Sequence, residues 1–260
     1  MKTLAVYGLI VFFLILVSLL FRAFSVIKES KFDGQHRFTL AVGDDKQARG
    51  LLSFEPDTSS VSLLTFSGGS SIPFSELNKK VGVIPDGYIK TSHPLDLHGT
   101  VPSILRSFIF NNNSIIKSVT VYDLMRFYFF ASKIPASTIS TQELAVSTDA
   151  GTFNKEVSLL FRDSFFSQEN VSIQIVNASG QSGLASRLER IINNIGGNVV
   201  SVKTAIKPEV KSKIQYNGRE TYTLGKLHSF LSIRPEVSKG QAVAEIVIVL
   251  GKDVANTSLF

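Results

Sequence analysis

The residues able to do chemistry are few and fall into small groups. Asp44 and Asp45 close the run FTLAVGDD and lie just ahead of Arg49. Neighbouring carboxylates can hold Mg²⁺, and an arginine beside them can grip phosphate oxygens bidentately. In QIVNASGQSGLASRL, residues 174–188, Gly180 and Gly183 make a G-x-x-G turn between a β-branched run and an apolar helical pattern. Backbone amides that open a helix after such a turn can receive an anion. A dinucleotide fold would need G-x-G-x-x-G and an acidic end to the second strand, and a phosphate loop would need G-K-S/T; neither is present. Asn177, Ser179, Gly180, Ser182 and Gly183 are therefore ligand-binding candidates of a generic kind. Ser182 as helix cap and the glycines as turn formers are the alternative roles.

KTAIKPEVKSKIQYNGR, residues 203–219, sets five positive charges against one negative. Lys203, Lys207, Lys211, Lys213 and Arg219 are candidates for contact with an anionic polymer, with a solvated charged loop as the alternative. His93, Asp96 and His98 in SHPLDLH lack the further nitrogen or carboxylate that a metal site needs, so no metal is expected there. No H-E-x-x-H and no G-x-S-x-G occurs, and no nucleic-acid-binding motif, so nucleic acid is not an expected partner. The chain has no cysteine, which excludes disulfides, thiolate metal sites and a lipidated cysteine. Its net charge of +6 is compatible with anionic partners such as lipid headgroups or wall polymers.

These residues have to be positioned by a chain that is 44% hydrophobic and 18% charged, more apolar than an ordinary soluble domain. The excess sits at the start, in MKTLAVYGLIVFFLILVSLLFR. Thr3 to Phe21 carries no charge and would span about 28 Å as a helix, enough to cross a membrane. No A-x-A cleavage pattern follows it, so residues 1–27 are expected to be an uncleaved signal anchor. Lys2 precedes the span and Arg22, Lys28, Lys31 and Arg37 follow it, a bias that by itself would place the bulk of the chain in the cytoplasm.

Beyond the polar spacer ESKFDGQHR, RFTLAVGDD reads as a strand, and GLLSFEPDTSSVSLLTF as a hairpin turning at Pro56 and Asp57. An amphipathic stretch, a strand in IPDGYIKTSHP and a helix in VPSILRSFIF come next. NNNS at 111–114 breaks the pattern, and SVTVYDLMRFYFFASKIP restarts it as a helix ended by Pro135. Leu124, Phe127, Tyr128, Phe130 and Ala131, with Met125 and Phe129 on the flanks, make it apolar nearly all round, as a buried helix would be. VSIQIV, GLASRLERIINNI and GGNVVSVKT then form a strand-helix-strand unit with a crossover suited to parallel pairing. KLHSFLSI adds a helix, AEIVIVLGKD a closing strand, and VANTSLF a frayed tail.

VSIQIVNASGQSGLASRLERIINNIGGNVVSV together with EIVIVLGKD resembles the carboxy-terminal domain of LytR-CpsA-Psr family envelope proteins, over roughly the last third of the chain. The preceding LFRDSFFSQEN resembles the lead-in to that domain. FTLAVGDD, ARGLLSFEPDTSSVSLLTF and GVIPDGYIKTS are similar to the opening strand, the R-x-D-T-I hairpin and the next strand of the family's larger domain, which transfers lipid-linked phosphorylated glycopolymers to peptidoglycan. The resemblance carries over only Asp44 or Asp45 and Arg49 as phosphate or Mg²⁺ contacts. Gly50 and Leu51 stand where the family has an aspartate, and TFSGG where it has S-I-P-R-D. Such transfer needs several arginines clamping a pyrophosphate, and too few are present.

The expectation is an α/β protein: an N-terminal transmembrane helix followed by two small α/β domains, at 36–135 and 169–253, joined by a connecting segment at 136–168. The resemblance implies a single-pass bacterial cell-membrane protein with its bulk extracytoplasmic, and that implication is preferred to the charge bias. The expected role is a non-enzymatic accessory module in cell-wall assembly that needs no cofactor. Its expected partners are a cell-wall polymer, a polyprenyl-linked lipid or an envelope protein. The alternatives are a divergent glycopolymer phosphotransferase or pyrophosphatase using Asp44, Asp45, Arg49 and Mg²⁺, and a membrane-bound regulator. The enzyme alternative would have Arg106 converge with Asp44, Asp45 and Arg49 on one apolar-lined pocket.

Overall fold

The computed structural model describes residues 2–67, 71–92, 95–110, 115–145, 149–238 and 243–254, and all of these except 2–6, 8 and 115–117 with their side chains. The tetrapeptide NNNS, His93, the centre of SGGSS and the tail from 255 lie outside the described residues. The protein is mixed α/β, with an apolar helix followed by sheet-containing domains.

Helix α1, Lys2–Lys28, projects from the body and touches it only near its end, and no residue of the apolar window in Leu9–Lys28 is buried. The first sheet holds β1 (Phe38–Asp44), β2 (Gln47–Glu55), β3 (Ser60–Phe66), β4 (Ile72–Pro73), β5 (Gly87–Thr91), β6 (Ile115–Lys117) and β7 (Ile139–Leu144). Their order is β6-β5-β1-β2-β3-β7, with β4 pairing on β2. Antiparallel β1-β2-β3 form its centre, and β5 and β7 pair parallel to β1 and β3. Alternation in the central strands feeds two cores. Leu40, Val42, Leu52, Phe54, Val61 and Leu63 face one side, while Ala41, Leu51 and Leu64 face the other. Helices α3 (Val101–Phe110) and α4 (Val121–Lys133) cover the first side, and α2 (Leu77–Val81) and α5 (Ala150–Phe161) the second.

Two sequence expectations change here. Residues 136–168 carry β7 and α5, whose Leu144, Phe153, Val157 and Phe161 complete the second core, and then α6 (Ser164–Glu169). Helix α4 is not buried all round: Leu124, Phe127 and Ala131 point into the core, but Val121, Met125 and Phe129 stand exposed on the opposite face. Composition records how apolar a helix is and not how much of it finds a partner.

The second sheet is β8 (Ser172–Asn177), β9 (Asn198–Thr204), β10 (Lys213–Tyr216), β11 (Pro235–Val237) and β12 (Ile246–Leu250), in the order β11-β10-β12-β8-β9. β8 lies parallel to both β9 and β12. Ile173, Ile175, Ile246 and Ile248 pack beneath α6, α7 (Leu184–Asn194) and α8 (Tyr222–Leu231). The face predicted for α7 is the one that packs: Leu184, Leu188, Ile191, Ile192 and Ile195 are all buried. Residues 203–219 are not simply a loop, because KIQY forms β10 in the body of the sheet.

Polar groups stitch the domains together. The Arg37 guanidinium donates to Glu55 Oε2 at 2.6 Å, to Ser53 Oγ at 2.9 Å and to the Leu160 carbonyl at 2.8 Å. Lys226 reaches Asp86 at 2.8 Å, and Asn194 Nδ2 donates to the Gly82 carbonyl at 3.0 Å. The Tyr222 hydroxyl donates to Asp163 at 2.7 Å. Burial, and then the Asp163 carboxylate, push that phenol far above its ordinary pKa.

The junction after α1 is equally fixed. Asp123, fully buried in the first turn of α4, accepts from Ser30 Oγ at 2.5 Å, from the backbone N–H of Lys31 and of Phe32 at 3.1 Å, and from Thr120 N–H at 2.8 Å. Thr120 caps the same helix, completing a capping box. Phe32 packs on Phe127 at 4.6 Å between ring centroids, and Arg126 donates to the Phe32 carbonyl. Burial alone would raise the Asp123 pKa; the bonds from Ser30, Thr120 and Phe32 outweigh it and hold the carboxyl below its usual range. Glu169 is lowered likewise, burial being outweighed by the amides of Thr223 and Tyr222.

Both carboxyls therefore bind protons more weakly folded than unfolded. Their contribution to stability is complete above the unfolded carboxylate range near pH ~4 and is lost as pH falls through the depressed folded values. Urea unfolding of the full chain in detergent should show a flat plateau at neutral pH and a decline in acid. Asp123→Asn should reduce that acid slope, and an unchanged slope would refute the assignment.

Candidate functional site

The five residues singled out in the Gly180–Gly183 turn come together, but in two roles. Asn177 and Ser179 are buried and hold the turn itself. Asn177 Nδ2 donates to the Gln181 carbonyl at 2.7 Å, and Asn177 Oδ1 accepts from Ser179 Oγ at 2.6 Å. Ser179 Oγ in turn accepts from the Gln181 N–H at 3.0 Å. Gly180, Ser182 and Gly183 are exposed and line a cavity of about 350 Å³.

That cavity lies outside the carboxyl ends of the parallel strands β8 and β9, beside the start of α7, which is where open parallel sheets commonly hold ligands. Ala185 and Ser186 of α7 form one wall, and Val202, Thr204, Ile206 and Pro208 the other. The lining combines hydroxyls and backbone with small apolar groups and includes no charged side chain. Lys203 and Lys207 sit exposed beside that far wall in the chain. Sequence inspection missed the far wall. Its signal was Ile206, a fully exposed isoleucine inside a basic stretch.

Ser182 does not cap α7. Gly183 occupies the cap position with φ +84° and supplies no side-chain bond, so the first amides of the helix look toward the cavity without a covering side chain. Gly180 is also left-handed, at φ +81°. A methyl group at position 183 would meet nothing within 4 Å. Gly183→Ala is therefore expected to cost only the left-handed backbone penalty, about 1–2 kcal/mol. A urea titration that shows no loss would contradict this geometry.

The remaining candidates lie on several different elements. Arg49 binds Asp44 through Nε and Nη2, both at 2.9 Å from Oδ2, while Asp45 is exposed in the turn. Arg106, on α3, lies over the Phe110 ring at 5.9 Å. Asp96 accepts the His98 backbone N–H at 2.9 Å, and His93 is outside the described residues. Among the described residues no group of three His, Asp or Glu is arranged to hold a metal. In the basic stretch, Lys213 is paired with Glu209 at 2.7 Å, while Lys203, Lys207, Lys211 and Arg219 are exposed.

A second cavity, about 590 Å³, opens between the domains beside the exit of α1. Lys226 faces Asp86 in it at 2.8 Å, the His36 ring lies 2.5 Å from Asp33, and Lys31 and Arg37 also line it. His36 also stacks on Tyr222 at 4.5 Å. No local pattern announced this cleft, because its walls come from segments well over a hundred residues apart.

Residues 170–253, about a third of the chain, match the LytR_C family, described as LytR cell envelope-related transcriptional attenuator. The crystal structure of TagV from B. subtilis aligns over 44% of this chain and 86% of its own at 6% identity, with a TM-score of 0.29, a likeness too slight to bear on function. No curated protein sequence matches the chain.

Proposed function

We propose that this is a single-pass protein of the bacterial cell envelope, anchored by α1 with its bulk outside the cytoplasm, whose carboxy-terminal domain is a non-enzymatic binding module. The observation that carries the binding role is the cavity at the Gly180–Gly183 turn, inside the segment that matches LytR_C. A wall of hydroxyls, amides and small apolar groups suits an uncharged hydroxylated group, such as a sugar of a wall polymer, with the exposed Lys207 next to the cavity residues Ile206 and Pro208 able to meet a phosphate of the same polymer.

The anchoring role is supported by how α1 ends. The helix continues to Lys28, and Ser30 to Phe32 are held by Asp123 directly after it, so the apolar span is tied to the folded domain. Against catalysis in the first domain stands the scarcity of arginines able to clamp a pyrophosphate: Arg49 is engaged with Asp44, and Arg106 lies on α3 over the Phe110 ring.

The full chain in detergent, incubated with purified cell-wall material, should cosediment with it, and Ser186→Trp, which fills the cavity mouth, should abolish that binding. Equal cosedimentation of an unrelated basic protein, or full binding by the tryptophan variant, would overturn the binding role. Release of phosphate from a polyprenyl pyrophosphate in the presence of Mg²⁺, lost in Arg49→Ala, would overturn the non-enzymatic reading.

A further inference from the structure

We propose that the outer face of α4 lies on the membrane that α1 crosses, so that the first domain is a peripheral membrane body in a fixed orientation and not a domain swinging on a linker. The inference rests on the anchoring reading above.

The junction leaves little freedom. α1 runs unbroken to Lys28, and Asp123 of α4 takes hold at Ser30, only two residues later. The grip has several parts: the Asp123 carboxylate holds Ser30, Lys31 and Phe32, the Phe32 ring is buried against Phe127, and Arg126 lies over that ring at 5.0 Å. α1 and α4 also touch directly. The Arg126 guanidinium also lies directly against Gly34. The point at which the chain leaves the lipid is thus the first turn of α4.

From that turn runs a stripe of exposed apolar side chains. Val121, Met125 and Phe129 recur every four residues, which places them on one face, and they are 44%, 44% and 57% exposed. The stripe extends over about 12 Å of helix from the exit point. Phe110, at the end of the neighbouring α3, is 75% exposed. Soluble proteins seldom leave methionine and phenylalanine side by side in water without a partner for them. Cations lie at both ends of the stripe: Lys28 and Lys31 at the junction, where Glu29 and Asp33 offset them, Arg106 over the Phe110 ring, and Lys133 at the far end of α4. Apolar side chains among basic ones are the composition of a surface that rests in the headgroup layer.

The absence of cysteine allows single labels to be introduced cleanly. An environment-sensitive fluorophore is placed at Leu16→Cys in α1, at Met125→Cys and Phe129→Cys in α4, and at Ile206→Cys on the second domain. All four positions are exposed, so labelling leaves the cores intact. The full chain is reconstituted into vesicles of mixed neutral and anionic phospholipid that carry a quencher at headgroup depth or at mid-bilayer depth. The expected result is mid-bilayer quenching at Leu16, headgroup-depth quenching at Met125 and Phe129 several-fold above that at Ile206, and none of consequence at Ile206. Quenching at Met125 and Phe129 equal to that at Ile206, with Leu16 still quenched, overturns the inference and leaves the anchor standing. Loss of quenching at Leu16 removes the anchoring reading itself. Shielding of Phe129 that grows with the protein-to-lipid ratio, without lipid quenching, assigns the face to a second copy of the chain and also overturns the inference.

Discussion

Arg37→Ala is expected to destabilise the protein by about 3–5 kcal/mol, because it strands a buried charge. The two side chains of the Arg37–Glu55 pair are only 8% and 2% exposed, and their closest atoms are 2.6 Å apart. Without the guanidinium, Glu55 keeps only Ser164, whose hydroxyl donates at 3.2 Å, and the Leu160 carbonyl loses its side-chain donor. Replacing both partners, as Arg37→Met with Glu55→Leu, should lose much less, since no charge is then left unpaired. Leu160 belongs to α5 and Ser164 to α6, so the pair ties the first sheet to the helices that lead into the second domain. Urea unfolding of the full chain should lose cooperativity in Arg37→Ala as well as shift its midpoint. A shift worth less than about 1 kcal/mol, the scale of an exposed ion pair, would show that the pair is not buried in solution.

Asp123→Ala is expected to cost about 3 kcal/mol or more. Loss of the capping interaction at α4 is worth about 1 kcal/mol, the buried Phe32 N–H left without an acceptor costs about 1 kcal/mol or more, and the lost bonds from the partly buried Lys31 N–H and Ser30 hydroxyl add to that. Asp123→Asn, which keeps a carbonyl oxygen in the same place, should fall between alanine and the parent. The mutation acts at the junction with α1, so limited proteolysis supplies a second readout. In the parent, Lys31 is held against α4 by its backbone, and in Asp123→Ala tryptic cleavage at Lys28 and Lys31 should accelerate strongly relative to cleavage at the exposed Lys211. Equal acceleration at Lys211 would indicate global unfolding, and no acceleration at either junction lysine would refute the clamp.

The elements that could be read from the sequence share one property: their pattern repeats over many residues and one physical cause dominates. α1 comes from a long uncharged run, and the buried stripe of α7 from isoleucines and leucines at helical spacing. The hairpin around Pro56 and Asp57 comes from a turn between two β-type runs. β10 is the opposite case, four residues set among lysines, whose membership of the sheet is decided by Ile248 and its neighbours on β12. Ser182 illustrates a local rule that lost. Serine favours a helix cap, but the turn uses Gly183 there because its backbone is left-handed, and Asn177 and Ser179 spend their side chains on closing it.

By itself the sequence determined the long apolar helix, the α/β character of the remaining chain, and a glycine turn between strand and helix, since these depend on composition and short-range spacing. Only the tertiary structure decided that the turn faces a cavity lined by Ile206 and Pro208, that α4 is half exposed, and that Asp123 locks the end of α1 to the first domain. The physical reason is distance along the chain. Asp123 and Ser30 are 93 positions apart, Lys226 and Asp86 140, and a carboxylate carries no local mark of the partner that folding will bring to it.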